Sequence, residues 1–123
     1  MITGAHFVFF SKDPEADRAF FRDVLGLRAV DAGDGWLIFA LPPAEAAFHP
    51  AHSDFAQEDG GHAMRAVVLY LMCDNLSEQI QSLAAKKVAC SPVAKERWGM
   101  RTSLRLPSGG EIGLYQPSHP TAV

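Results

Sequence analysis

The chain has 123 residues, 48% hydrophobic and 20% charged, a size and composition suited to one soluble compact domain that buries a core without covalent staples. Its formal charge of -3 offers no basic footprint for nucleic acid or an anionic membrane, and no apolar run nears the roughly 20 residues that span a bilayer. No basic segment followed by an apolar core marks a secretory signal, and Cys73 and Cys90 form neither a metal-type pair nor a disulfide framework, so a reduced, cytoplasmic setting is expected.

Residues 5–10, AHFVFF, predict a first strand buried on both faces. Asp13 stands where a helix N-cap belongs, with Pro14 at the first helical position and Glu15 in the first turn. Ala16, Ala19, Phe20, Val24 and Leu27 follow at helical spacing, and Gly26 supplies a left-handed stop. Residues 28–30 and 36–41 read as strands around Ala32-Gly33-Asp34-Gly35, and Glu45 to His49 as a short edge strand after Pro42-Pro43. Residues 50–65 are polar and without periodicity, which predicts a loop or linker.

A second round then begins. Residues 66–72 predict a strand, Asn75 with Glu78 a helix cap, and Leu76, Ile80, Leu83 and Ala84 the apolar stripe of a second helix. Lys86 and Lys87 suit its C-terminal end. Strands are expected at 89–94, 98–106 and 111–116, the last two joined by Pro107-Ser108-Gly109-Gly110, and the tail 118–123 reads as unstructured. Each half is thus a βαβββ unit, the first at about 1–60 and the second at about 61–118, and two such units must pair to enclose a cleft.

Three segments carry a family resemblance: the His6 strand with FFRDVLGL, the LYLMCDNL strand-to-cap segment, and the RLPSGGEIGLYQP hairpin. In this order, over nearly the whole chain, they resemble the vicinal oxygen chelate superfamily of glyoxalase I, bleomycin-resistance proteins, fosfomycin-resistance transferases and extradiol dioxygenases. The resemblance implies an α+β fold of two paired βαβββ units around a cleft, and a homodimer. It also implies, for many members, a divalent metal held by one residue on each first strand and by carboxylates on later ones. His6 matches the first of these ligands, whereas the matching later positions are Val68 (or Ala66, one register step away) and Gly113, which have no donor.

Strand alternation places His6, Val8 and Phe10 on the cleft face, with Phe7 and Phe9 toward the helix. The same face of the second unit carries Ala66, Val68, Tyr70 and Met72, and that of the last strand Glu111, Gly113 and Tyr115. Such a lining suits a small aromatic or amphipathic molecule, with no cofactor expected. Trp98 is either a stacking wall or a core cap, and Arg101, alternating with Ser103 and Arg105, either faces the cleft, where it suits an anionic ligand group, or lies on a solvated outer strand face. Trp36 reads as core or dimer contact.

The alternative is a metal-dependent lyase, isomerase or dioxygenase with a non-standard shell of His6 and Glu111, or a metal-free reaction with His6 or Tyr115 as acid or base. A second histidine group, His49, His52 and His62 with Asp54, Glu58 and Asp59, has no fixed geometry because Pro50 interrupts it, and is read as a solvated loop. Cys73, beside the second helix cap, is placed where a helix N-terminus would lower a thiol pKa, with no histidine near in sequence to activate it.

Overall fold

The first helix is set by its own start. The Asp13 carboxylate accepts the Ala16 N–H at 3.2 Å, Pro14 follows, and Glu15 and Asp17 lie in the first turn of α1 (Pro14–Asp23). The structure is a computed structural model and describes residues 6–48, 50 and 56–123. Gly26, at φ 69°, ends the helical run as expected. Strands β1 (Ala29–Asp31) and β2 (Leu37–Phe39) then pair antiparallel, Val30 opposite Ile38.

By contacts the chain forms two compact units, one of Met1–Ala40 with Arg105–Glu111, the other of Leu41–Leu104 with Ile112–Val123. In the first, Phe21 is buried with its ring edge-to-face against Phe9 at 5.9 Å and Phe39 at 5.5 Å. Asp17 ties the turn at 107–110 to α1. Its carboxylate accepts the hydroxyls of Ser11 and Ser108, each at 2.6 Å, and the Ser108 N–H at 3.1 Å. Burial pushes the Asp17 carboxyl up, but those donors outweigh it and hold the pKa below its ordinary 3.8.

The second unit starts with a hairpin, β3 (Ala56–Asp59) and β4 (His62–Arg65), closed by Gly60 at φ 57° and Gly61 at φ 80°. Two positive φ angles in a two-residue turn match the strand twist, and glycine takes them at little cost. Next come β5 (Tyr70–Met72), α2 (Leu76–Ala85), β6 (Ala94–Glu96), β7 (Gly99–Arg105) and β8 (Glu111–Pro117). Their sheet has the order β5-β8-β7-β6, with β5 parallel to β8 and β6 antiparallel to β7. This is the complete βαβββ unit that the second half predicted.

Asn75 caps α2 by accepting from the Glu78 N–H at 3.1 Å, and Gln116 of β8 satisfies the Leu76 N–H at 3.0 Å. Leu76, Leu83, Leu104, Ile112 and Leu114 are each under a tenth exposed and make this unit's core. Thr102, the buried polar side chain among them, donates to the Ser91 carbonyl at 2.6 Å.

Several expectations are corrected. Residues 6–10 lie in no strand, and neither do 45–48, while Ala5 and His49 fall outside the described residues. The second half shows why: β5 is held by its ladder with β8, and the counterpart of β8 in the first half forms no strand over its described part. An apolar run that finds no strand to pair with stays outside any sheet. The predicted loop at 50–65 holds the β3–β4 hairpin, although 51–55 are outside the described residues. The expected strand 66–72 is regular only over Tyr70–Met72, and 89–94 reduces to a bridge from Cys90 to Leu104 before β6. The tail 118–123, read as unstructured, is tied down by hydrogen bonds.

Candidate functional site

The parallel register fixes the site. Tyr70 lies opposite Gly113 and Met72 opposite Tyr115, so β5 and β8 present these side chains on the sheet face away from α2. Gln116, one step out of phase, reaches α2 as that alternation requires. Trp98, in the turn before β7, completes an aromatic cluster. The Tyr70–Trp98, Tyr70–Tyr115 and Trp98–Tyr115 centroids are 5.8, 5.5 and 5.1 Å apart, all edge-to-face. Tyr115 is buried, Tyr70 partly so, and Trp98 keeps 37% of its surface open. A solvent-facing indole backed by two phenols is a wall on which a flat ligand can lie.

Gly113 is glycine for a steric reason. A Cβ built there would run into the Tyr70 ring, which lies across the strand at that point. The position that the resemblance gives to a metal-binding carboxylate is therefore filled by an aromatic side chain from the neighbouring strand. Val68, the other matching position, is 78% exposed and has no donor atom. Among the described residues no group of three or more His, Cys, Asp or Glu gathers as a cation would need. The donor set at these positions does not fit the divalent metal of the family.

Arg101 is on the wall's rim, but its charge is already answered. Its Nε and Nη2 both lie 3.1 Å from Glu96 Oε1. That hydrogen bond, and then the neighbouring Tyr70 phenol, raise the guanidinium pKa. The expected anion-binding arginine is thus half of an ion pair. Tyr115 donates its phenol O–H to His119 Nε2 at 3.2 Å, because His119 Nδ1 must donate to the Pro120 carbonyl at 2.8 Å when the ring is neutral. Burial, and then the negative charge of Glu45, push the Tyr115 pKa up, so it stays protonated near neutral pH and serves poorly as a base.

None of the remaining candidates takes part in the ring contacts of this cluster. His6, Val8 and Phe10 are exposed in the first unit, as is Glu111. The alternation predicted there survives in part: Phe9 turns to the helix, while Val8 and Phe10 are the more open pair. His62 sits beside the β3–β4 turn opposite Asp59; His49, His52 and Asp54 lie outside the described residues. Trp36 is not core: it is 57% exposed, with the Arg18 guanidinium 4.6 Å over its ring. Burial raises the Cys73 thiol pKa more than the Asn75 backbone N–H lowers it, and Asp74 raises it further, the reverse of the activation expected at a helix cap. Sequence reasoning also missed His119 and Glu45. Both reach the cluster through tertiary contacts that leave no periodic signal.

The chain matches the family described as "Glyoxalase/Bleomycin resistance protein/Dioxygenase superfamily" over residues 4–113. No protein of curated function matches it in sequence. Among solved structures it is similar to TnmS3, an antibiotic binding protein from Streptomyces sp. CB03234, at 21% identity and a TM-score of 0.61, covering 96% of this chain and 99% of that one. It is similar to a lactoylglutathione lyase from Agrobacterium tumefaciens at 19% identity and 0.60, covering 93% and 92%. A glyoxalase/bleomycin resistance protein from the same Streptomyces strain gives 20% and 0.56, over 86% and 93%. At these identities the likeness shows the α+β fold.

Proposed function

The chain belongs to the Glyoxalase/Bleomycin resistance protein/Dioxygenase superfamily, and we propose that within it this protein is a metal-independent binder of a small aromatic molecule. The observation that carries this reading is the cluster of Tyr70, Trp98 and Tyr115, with the Tyr70 ring filling the space beside Gly113. The fold shared with an antibiotic binding protein supports it. Binding needs only surface, and an edge-to-face aromatic wall gives that surface without a nucleophile or a Lewis acid. In the same reading the protein acts as a homodimer. Val8, Phe10, Val67 and Val68 are each more than half exposed and lie in no strand, as expected of apolar surface that a second copy covers.

Two measurements test the binding reading. The chain has two tryptophans, so Trp36→Phe leaves Trp98 as the sole indole reporter. Titration with 1-naphthol should quench that emission saturably at one equivalent per chain, and Trp98→Ala, followed by calorimetry, should weaken binding about tenfold. Elemental analysis after incubation with Mn, Fe, Ni and Zn should find less than one metal per chain. A stoichiometric metal that His6→Ala removes would overturn the proposal.

A further inference from the structure

We infer that the segment 118–123 is a resident occupant of the ligand's place on Tyr115, and that its chemistry identifies the preferred ligand as a small planar heteroaromatic bearing N–H donors or a positive charge. This rests on the binding reading above and adds the chemical class of the ligand.

The segment is strapped at three points. Ser118 donates its N–H to the Trp98 carbonyl at 2.9 Å and its hydroxyl to the Arg97 carbonyl at 3.2 Å. His119 then stacks on Tyr115, centroids 6.1 Å apart and planes at 28°, while its Nε2 takes the phenol O–H. Finally the Ala122 N–H donates to Glu45 Oε2 at 2.6 Å. A flat nitrogen heterocycle thus lies on Tyr115, and an N–H group faces a carboxylate. Every other contact of the aromatic cluster described above is edge-to-face; this one alone is stacked, as a bound flat ligand would be.

Lifting the strap leaves two polar groups at the wall: a phenol whose oxygen can accept an N–H as well as donate its own, and a carboxylate that wants a donor. An open hollow of about 530 Å³ is lined by His119 and Thr121 of the strap together with Met72 and Cys73. Asp74 also lines that hollow. Arg101 does not offset these carboxylates, because Glu96 already pairs with it. The local balance favours a cation or an N–H-rich ring over an anion.

The test uses the full chain and three bicyclic probes of one size: 4-aminoquinoline, protonated at neutral pH, neutral 1-naphthol, and anionic 1-naphthoate. Calorimetric titration should give 4-aminoquinoline at least about tenfold tighter binding than 1-naphthoate, and Glu45→Gln should cut that ratio to about threefold or less. His119→Ala removes the competitor and should tighten all three about fivefold. Thermal unfolding without probe verifies that both variants are folded. Hydrogen exchange at the Ala122 amide should be slowed in the free protein by its bond to Glu45 and should become faster at saturating 4-aminoquinoline. Equal binding of cation and anion overturns the ligand class while leaving the aromatic wall as a binding site. Ala122 protection that persists at saturation, or an unchanged affinity in His119→Ala, overturns the displacement. If no probe binds either the full chain or His119→Ala, the binding reading falls and this inference with it.

Discussion

Gly113 and Tyr70 show how one residue decides the chemistry open to its neighbour. Gly113→Ala should destabilise the protein by about 1–3 kcal/mol by overpacking against the Tyr70 ring. Gly113→Ala combined with Tyr70→Ala should lose less than the two single losses added together, which denaturation midpoints of the four proteins will show. Cys73 makes a second case. With its thiol pushed up by burial, alkylation by iodoacetamide at pH 7.5 should run slower than for a free cysteine, with the pH–rate inflection above the ordinary thiol value. At this scale the period of two made much of the site legible, since it alone puts Tyr70, Gly113 and Tyr115 on one face. It could not reveal His119 or Glu45, whose partners are fixed by the path of the chain after β8 and by a contact across most of the second half.

Between elements, the turn at 107–110 is held to α1 chiefly through Asp17. Asp17→Ala should cost about 1–3 kcal/mol, because both serine hydroxyls and the Ser108 N–H lose their acceptor. The pH dependence has a definite sign. The folded pKa lies below the unfolded one, so this stabilisation is full above about pH 4 and is lost as pH falls through the folded value. The urea midpoint of Asp17→Asn should therefore vary less between pH 5 and pH 2.5 than that of the parent protein. Both helices were legible from their caps, Asp13 and Asn75, because capping is local chemistry. The β3–β4 hairpin was hidden by its polar strands, exposed along the whole described length of β3, so that no apolar alternation marks it. The Gly60-Gly61 pair was its one available signal. The first strand failed for the opposite reason: its residues are strand-like, but a partner is not written in a segment's own composition.

For the whole molecule, the two halves share a sequence pattern and differ in completion. The second builds its four-stranded sheet, while residues 6–48 of the first build the two-stranded β1–β2 sheet. Sedimentation should find a homodimer, and Phe10→Asp should shift it toward monomer, because charge on an apolar run that a second copy covers is costly. A sheet order of β5-β8-β7-β6 also governs when the molecule becomes itself. β8 is the last of these strands to leave a ribosome, yet it sits between β5 and β7. Until it is inserted, β5 has no neighbour and β7 of the β6–β7 pair has its inner edge open. Tyr70 and Tyr115 cannot meet before that moment. A nascent chain halted after β7 would expose both edges, and the aromatic wall, with the strap that follows β8, takes shape in one late step.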